Sequence, residues 1–585
     1  GGAVLCLSCV LNGVHLQGNV ANSNSLLLLS GGGAVLAVQV SMGEYQGSPC
    51  NLYQNQANES LGGGLNLFSG LSGISATSGS VCSGAVMTQN SASLGGGAVY
   101  IGIGTTARFV SLMLDSNSAA STGGGILSAG TFDCENCHLL SNTATQGGAV
   151  AATSGSVIMS SSKLWNNQAT LVGGAFSIGG ATTCYLNDTM VQLNRAVTGG
   201  GALSLTDMAF LNANNTIFLL NMATKGSGGA VSMSLHSSCS LESTHFSANV
   251  AMDGGALSLS DLTSCTLQQC LFLGNLGDLS GGAASLSKEA VMRVHSTSFV
   301  ENRAESGGAV VASGSSAFSG TLSSFFNNTA ELTEELTISL STGGGFLLSE
   351  TSSVTLQCVT ASGNLANGQD GGGFASVSGN CSLTIRDCSA TLPSVISGNN
   401  ATAGSGGGIS TYSLSIVNIS NSFFKGNFAS QQGGGLYAGG NIGRFRMYDT
   451  TFVKNSASNG GGAAVFIQGE RPSVNIFGVS NVVLQENVAF YQPTISGSGG
   501  GGGLFITGTS LQLRNNSFII NGLLQAIVAS GNTATYGHDL SSSPCSVAES
   551  GSAENMVTCK SSALQIPQQG ISQRAASEQT PSPIS

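Results

Sequence analysis

The sequence predicts an all-β protein, a right-handed parallel β-helix of about eighteen coils, and three observations support this fold class. Gly-Gly followed by an apolar residue recurs along most of the chain. A second motif precedes most of these Gly pairs: an apolar residue, Asn three positions later, and Ala two positions after the Asn. Apolar and polar residues alternate after the pairs, which is the period of a strand with one buried face.

The composition excludes several classes of protein. Of 585 residues 86 are Gly, but 41% are hydrophobic and only 8 are Pro, which excludes both a disordered Gly/Ser polymer and collagen. The 16 Lys and Arg residues are scattered and the net charge is -11, so nucleic acid is not an expected partner. No apolar stretch reaches the length of a membrane helix, so we expect membrane attachment only through parts outside this sequence.

The Gly pair suits a bend between strands, because Gly adopts positive φ without a Cβ clash. Between Ile126 and Ala309, successive units are 23 to 28 residues apart, a regularity that chance clustering would not give. The apolar residues that close the units are Ala3, Ala34, Leu65, Ala98, Ile126, Ala149, Ala175, Ala202, Ala230, Ala256, Ala283, Ala309, Phe346, Phe374, Ile409, Leu436, Ala463 and Leu504.

The Asn motif lies at a nearly constant distance before the Gly pair, as in Leu139, Asn142 and Ala144. Asn tolerates left-handed backbone, and Asn amides stacked from coil to coil can bond their neighbours above and below. We therefore expect this Asn at a corner, with the small Ala beside it. The pattern recurs at Leu164/Asn167/Ala169, Phe218/Asn221/Ala223, Phe246/Asn249/Ala251, Phe299/Asn302/Ala304, Phe325/Asn328/Ala330, Phe424/Asn427/Ala429 and Phe452/Asn455/Ala457.

A coil of this length has room for two or three short strands joined by bends. Segments 230–234 and 256–260 show the expected alternation of apolar and polar residues. Leucine-rich repeats have a similar length, but the columns of Leu that they require are lacking. At about 4.8 Å per coil, eighteen coils would form a rod on the order of 85 Å long.

The two motifs, Gly-Gly-Ala-apolar and Phe-x-x-Asn, resemble the repeats of the chlamydial polymorphic outer membrane proteins and of similar surface proteins from algae and other protists. The resemblance covers Gly1 to about Ser543 and includes 531–539, which is similar to a closing unit. In the bacterial family the β-helix is exported by a C-terminal β-barrel and contributes to adhesion. This sequence ends in Pro581-Ser-Pro-Ile-Ser585 instead, which favours the eukaryotic-type relatives.

The repeat spacing divides the chain into regions. Residues 1–95 carry irregular coils, 96–309 the most regular ones, and 310–543 coils with insertions, among them the acidic segment 331–335. Residues 544–560 are a candidate cap, and 561–585, rich in Ser, Gln and Pro, are expected to be a flexible tail. The first residues already read as the middle of a repeat, so we expect the chain to be part of a longer array.

The residues that carry chemistry in other β-helices form no recognisable set. Polysaccharide lyases and hydrolases need converging carboxylates with Arg, Lys or His. The nearest fragments here are 187–189 and the pair Arg386 and Asp387. Cys134 and Cys137 have the spacing of half a zinc site, but no second pair accompanies them, so we expect packed thiols or a disulfide and no metal or cofactor. The six His residues are scattered at 15, 138, 236, 245, 295 and 538.

The other cysteines suggest stacking between coils. Cys239 and Cys265 each lie nine residues after the Ala of their own Gly unit, so we expect them to stack directly, as a disulfide or as a column of small side chains. Cys184 has the same spacing. Cys545 and Cys559 would be able to staple the candidate cap. The total of 15 Cys is odd, so at least one is unpaired within this chain.

Eight Asn-x-Ser/Thr sequons permit N-glycosylation of a secreted protein, but Ser and Thr are so abundant that chance alone would give a similar number. These sequons begin at Asn58, Asn187, Asn214, Asn327, Asn380, Asn400, Asn418 and Asn515.

The leading functional hypothesis is a non-enzymatic extracellular or cell-surface scaffold for adhesion or recognition, with protein or glycan ligands on the cell surface. It follows from the array, from the lack of a catalytic cluster and from the family resemblance. The alternative is a carbohydrate-active enzyme, similar to a polysaccharide lyase or hydrolase, or a glycan-binding β-helix. A third interpretation is a purely structural spacer.

Overall fold

A computed structural model describes residues 4–22, 34–43, 49–58, 60–67, 80–331, 342–368, 371–389, 392–412, 415–440, 444–469, 476–480, 482–490, 502–508, 527–530, 540–543, 546–547 and 557–558. Within these ranges the structure contains strands, turns and bends, and no helix. Strands of successive coils pair in parallel, one above the other. The predicted all-β parallel β-helix is therefore confirmed.

A coil contains four short strands, not the two or three predicted, because each strand spans only two to five residues between corners. In one regular coil they are Val231–Met233, Ser238–Glu242, His245–Ser247 and Val250–Asp253. We call them the first, second, third and fourth strands, counted from the Gly pair. The first strand of this coil pairs in register with Leu257–Leu259 of the next coil.

The strands of each class stack into a column. The first strands are Leu65–Leu67, Val99–Ile101, Ile126–Ser128, Val150–Ala152, Phe176–Ile178, Leu203–Leu205, Val231–Met233, Leu257–Leu259, Ala284–Leu286, Val310–Ala312, Phe346–Leu348, Ala375–Val377, Ile409–Tyr412, Leu436–Gly439, Val465–Gly469, Leu504–Gly508 and Leu540–Ser543. The second strands are Ser80–Ser83, Thr106–Val110, Thr131–Glu135, Ser156–Ser160, Thr183–Asn187, Phe210–Asn214, Ser238–Glu242, Ser264–Gln268, Val291–His295, Ala317–Thr321, Ser353–Gln357, Ser382–Arg386, Ile416–Ser420, Arg444–Tyr448 and Ile476–Ser480.

The remaining two columns form the other side of the coil. The third strands are His15–Gln17, Asn51–Tyr53, Val86–Thr88, Met113–Asp115, His138–Leu140, Lys163–Trp165, Met190–Gln192, Ile217–Leu219, His245–Ser247, Leu271–Leu273, Ser298–Val300, Ser324–Phe326, Thr360–Ser362, Ser394–Ser397, Ser422–Lys425, Thr451–Val453, Val482–Gln485 and Ile527–Ser530. The fourth strands are Val20–Asn22, Gln56–Asn58, Ser91–Ala92, Ser118–Ala119, Thr143–Gln146, Gln168–Val172, Arg195–Ala196, Met222–Ala223, Val250–Asp253, Leu276–Ser280, Arg303–Ala304, Thr329–Ala330, Leu365–Ala366, Asn400–Ala401, Phe428–Ala429, Ser456–Ala457 and Val488–Ala489.

The two N-terminal coils differ from this plan. Their long strands Val4–Asn12 and Val35–Gly43 pair with each other, and the second of them pairs with both Leu65–Leu67 and Ser80–Ser83. Each long strand thus takes the place of a first and a second strand. The predicted number of eighteen coils is slightly high, because coils with all four strands are fewer: those at the two ends depart from this plan or are described only in part.

The core is the interior of the coil, and it is filled by side chains that alternate with outward ones along each strand. In the third strands the middle residue points inward, and five successive Phe rings stack there with centroids 4.7 to 4.9 Å apart. The stack runs from Phe218 to Phe325 and is interrupted at Ala361, where Phe374 of a first-strand corner lies 5.5 Å from the Phe325 ring. A smaller residue in one column is thus compensated by a larger residue in another.

A continuous ladder of buried Asn side chains runs along the corner between the third and fourth strands. In each step the Nδ2 atom and the backbone N–H of one Asn both donate to the Oδ1 atom of the Asn in the next coil, over 2.8 to 3.1 Å. The other Nδ2 proton is donated to a backbone carbonyl oxygen in the third strand of the coil before. Asn249, for example, donates to the carbonyl of Phe218. The members are Asn19, Asn55, Asn90, Asn117, Asn142, Asn167, Asn194, Asn221, Asn249, Asn275, Asn302, Asn328, Asn364, Asn399, Asn427, Asn455 and Asn487.

The predicted left-handed backbone does not belong to the ladder Asn. It belongs to the residue before it, whose φ lies between 50° and 67° in every coil of the ladder. Leu220, Ala248 and Glu301 are examples of non-Gly residues in this conformation. Asn is therefore required at its position by the hydrogen bonds of its side chain, while the left-handed residue accepts many side chains because it points to solvent.

The two positions of a Gly pair require glycine for different physical reasons. Gly254 has φ of +61°, in the left-handed region. Gly255 has ordinary φ, but a Cβ atom there would lie 2.6 Å from the carbonyl oxygen of Leu276 and closer still to that of Gly282. The pair thus allows both the bend and the close contact between successive coils.

We predict that Asn249→Ala weakens the array locally by about 3–5 kcal/mol, because it leaves both the Nδ2 and the backbone N–H of Asn221 without acceptors in a dry interior. Hydrogen exchange with mass spectrometry should show faster exchange of the coils on both sides, since stability in repeat arrays is local.

Two variants serve as controls for this prediction. Asn212→Ala, at an outward position of a second strand, should change stability by less than about 0.5 kcal/mol. Asn249→Asp keeps an acceptor for Asn221 but turns carboxylate oxygens toward the Phe218 carbonyl and Asn275 Oδ1, so it should be at least as harmful as Ala. Equal protection in Asn249→Ala and wild type would contradict the role of the ladder.

Candidate functional surfaces

The four strand columns give the rod faces of different chemistry. The outward residues of the second strands are mostly Ser, Thr, Asn and Gln, as in the column Tyr185, Asn212, Ser240 and Thr266. The middle residues of the first strands include five consecutive Ser, from Ser177 to Ser285. Both faces can form hydrogen bonds with a ligand.

The fold brings together one group of charged side chains that the sequence spacing alone did not reveal. Arg108 lies 2.9 Å from a Glu135 oxygen and 3.8 Å from an Asp133 oxygen, on two neighbouring second strands. All three side chains are 40 to 55% exposed, and the single Arg pairs with both carboxylates. The group is therefore a solvated surface ion pair and lacks the enclosed acid and base that glycoside hydrolysis needs.

The other residues considered for chemistry lie apart. Arg386 donates to the side-chain oxygen of Gln357, and Asp387 accepts from Asn421 at 2.9 Å, so the two neighbours face different partners. His15, His138 and His245 occupy outward positions of third strands separated by several coils, and His538 lies outside the described residues. No group of three or more His, Cys, Asp or Glu residues in the described ranges is arranged to hold a metal ion.

The structure joins two of the cysteine pairs noted in the sequence by disulfides. Cys239 and Cys265 are direct partners in the register of adjacent second strands, with Cα atoms 4.5 Å apart. Cys134 and Cys137 bridge a corner within one coil, with Cα atoms 5.8 Å apart. Cys545 and Cys559 lie outside the described residues, but an antiparallel pair of strands, Ser546–Val547 and Val557–Thr558, is described between them.

A third disulfide, between Cys358 and Cys388, was not predicted. It also links adjacent coils, because the two residues follow neighbouring second strands. Their separation of 30 residues, close to one coil, was the available signal. Two of the three disulfides among the described residues therefore staple one coil to the next.

Four further thiols are buried and free: Cys82, Cys184, Cys270 and Cys381. Burial raises the pKa of the Cys82 and Cys184 thiols to about 12, and that of the other two to about 11. Because a thiolate is the reactive form, these residues are chemically inert packing elements at neutral pH.

The structure explains several of the sequons. Asn187 and Asn214 are partners in adjacent second strands. Their sequon residues Thr189 and Thr216 are buried at the next corner, where each hydroxyl lies within hydrogen-bonding distance of two carbonyl oxygens and can donate its proton to either. A buried Ser or Thr is common at this corner, as at Ser162 and Thr244, so the fold favours such sequons whether or not they carry glycans. The side chain of Asn327 occupies an exposed corner.

The other sequons differ in exposure. Asn58 and Asn380 are exposed, whereas Asn400 and Asn418 are partly buried. Asn515 lies outside the described residues, as do 531–539.

The insertions stand at more than one point in the order of strands along the chain. Residues 332–341 and 491–501 lie outside the described residues, and both connect a fourth strand to the next Gly pair. Residues 387–393 instead connect a second strand to a third strand. Glu331, the first residue of the acidic segment, is described, and it pairs with Arg303 at 2.8 Å.

A largely apolar surface, which we call the leucine face, was missed at the sequence level. It comprises the outward residues of the third and fourth strands, and of the corner between them, from Met190–Gln192 to Leu276–Ser280. Its most exposed apolar side chains, between 36 and 45%, are Leu193, Ile217, Leu220, Met222, Leu273, Leu276 and Leu279. The signal was the Leu residues at the left-handed corner position, where polar residues or Gly stand in most coils.

No family model matches the chain, and we found no significant match among curated proteins or solved structures. Among the described residues there is also no helix that is long and apolar enough to cross a membrane. The surfaces must therefore be interpreted from their own chemistry.

We predict that the buried thiols make stability fall with pH above about 9. In the unfolded chain a thiol ionises near its ordinary pKa, whereas the native Cys184 thiol stays protonated up to about 12. The stabilising contribution is thus complete below pH 9 and is lost as pH rises toward 12, at about 1.4 kcal/mol per pH unit for each thiol.

Cys184→Val isolates this contribution, since Val157 occupies the same inward column one coil earlier. Guanidinium unfolding from pH 7 to pH 10.5 should give the variant a shallower loss of stability than wild type. Parallel pH dependences would contradict the burial of this thiol.

Proposed function

We propose that this chain is a non-enzymatic scaffold of the extracellular space or the cell surface, whose rod presents faces and insertions for adhesion or recognition. The observation that carries the proposal is the pair of coil-to-coil disulfides, Cys239–Cys265 and Cys358–Cys388, in a continuous rod. Disulfides of this kind persist in oxidising compartments and are rare in the cytosol.

The arrangement of the polar side chains supports a binding role over catalysis. The Arg108 group is solvated, so it lacks the enclosed acid–base pair of a lyase or hydrolase. The rod meanwhile offers long faces on which the outward residues vary while the inward ones are fixed by packing. Such a surface suits recognition distributed over several coils.

The second candidate function is glycan binding, and one observation favours it. The outward column from Tyr185 to Thr266 offers hydroxyl and amide groups every coil beside an exposed aromatic ring. Hydroxyl and amide groups can hydrogen-bond sugar hydroxyls, and the ring of Tyr185 offers an apolar surface for a sugar ring.

The chain immobilised on beads and offered to cultured cells tests the proposal. We expect the beads to adhere, and a panel of acidic and neutral polysaccharides to remain uncleaved. Adhesion that survives enzymatic deglycosylation of the cells indicates a protein ligand, and its loss supports the glycan alternative. Failure to adhere to any cell type would favour a spacer and contradict the proposal, as would cleavage of a polysaccharide.

We also predict a specific thiol inventory for the chain secreted from a eukaryotic host. Alkylation under denaturing conditions, followed by mass spectrometry, should find Cys134, Cys137, Cys239, Cys265, Cys358 and Cys388 protected until reduction. Cys184 should be labelled without reduction. Labelling of Cys239 and Cys265 in the unreduced secreted chain would contradict the argument for an oxidising compartment.

A further inference from the structure

The leucine face is distinguished by seven large apolar side chains that are exposed within a span of four successive coils. Across its four coils, the third strands, fourth strands and intervening corners carry three charged residues, Arg195, Asp253 and Asp278, and one histidine, His245. They also contain no sequon. Contiguous apolar patches of this kind are rare on monomers and mark interaction sites.

The size of the leucine face matches one half of a protein interface. Its seven most exposed apolar side chains are each about two-fifths exposed, which corresponds to roughly 500 Å² of apolar surface. A standard interface buries about 800 Å² per partner, of which about two-thirds is apolar when two copies of one chain associate.

The protruding and small residues of the leucine face fit against those of a second copy when the two rods are antiparallel. Along the corner column Leu220 protrudes, Ala248 is small, and at Gly274 nothing lies within 4 Å of where a Cβ would stand. A two-fold axis through Ala248, perpendicular to the rod, places Leu220 of one copy over Gly274 of the other. The same operation pairs Met222 with Leu276.

From these features we propose that two copies of this chain pair side by side and antiparallel through the leucine face, with the two-fold axis at Ala248. A parallel pair would instead bring Leu220 against Leu220 and leave Gly274 against Gly274. A lipid surface fits less well, because the net charge of -11 disfavours anionic membranes and the face offers a single Arg to headgroups. The pairing does not depend on what the rod binds.

Sedimentation velocity of the full chain, from 1 to 50 μM, tests the pairing. Wild type should be a dimer that dissociates on dilution, and Leu220→Asp should weaken it at least 100-fold, because two carboxylates enter the apolar contact.

Leu262→Asp is a matched control. Both leucines are exposed, by 45 and 50%, and both have left-handed backbone, which Asp tolerates, so both variants should fold. Leu262 lies at the turn between the first and second strands, and its variant should dimerise like wild type.

Ala248→Cys tests the position of the axis. Two copies of this residue meet at the two-fold axis, so mild oxidation should crosslink the chain, whereas Ser232→Cys on a first strand should not crosslink. A monomer at 50 μM, or equal weakening by Leu220→Asp and Leu262→Asp, would overturn the proposal. Dissociation by Leu220→Asp without crosslinking at Ala248→Cys would overturn the antiparallel register. A monomer that binds phosphatidylcholine vesicles through this face would assign it to lipid instead.

Discussion

Each Asn inside the ladder accepts two hydrogen bonds through Oδ1 and donates three, two from Nδ2 and one from its backbone N–H, and all five reach another coil. The Oδ1 atom of one Asn accepts from both the backbone N–H and the Nδ2 of the Asn in the coil before. Both bonds can form only if the two coils are in register. Ser, Thr and Gln cannot make the same set with the same reach. The stacking of the remaining columns follows from this constraint, because it fixes the spacing and phase of every coil.

The ladder also explains where sequence variation is tolerated. The third-strand residue three positions before each Asn points into the core, so it is Phe, Leu or another apolar residue, and Phe rings stack where they are consecutive. The Gly pair is fixed by a contact between coils. The left-handed corner residue points outward, and it ranges from Glu301 to Leu220. Surface chemistry can therefore change from coil to coil without disturbing the rod.

Much of this architecture could be predicted from the sequence, because the ladder and the Gly contact depend on residue types that nothing else replaces. Ladder members such as Asn275, where Gly277 stands in place of Ala, escaped a motif that required all three residues. The Cys358–Cys388 disulfide and the leucine face depend on which outward residues become neighbours. That is set by the register of coils of unequal length, so it is not visible in local spacing.

A double-mutant cycle on adjacent ladder residues would test most directly that the Asn side chains act as one connected structure. Asn249→Ala and Asn275→Ala remove the same hydrogen bond, so the double variant should lose less stability than the sum of the single variants, by roughly 1–2 kcal/mol. Asn117→Ala combined with Asn249→Ala, several coils apart, should be additive. Additive losses for the adjacent pair would contradict the ladder as the interaction that holds the coils in register.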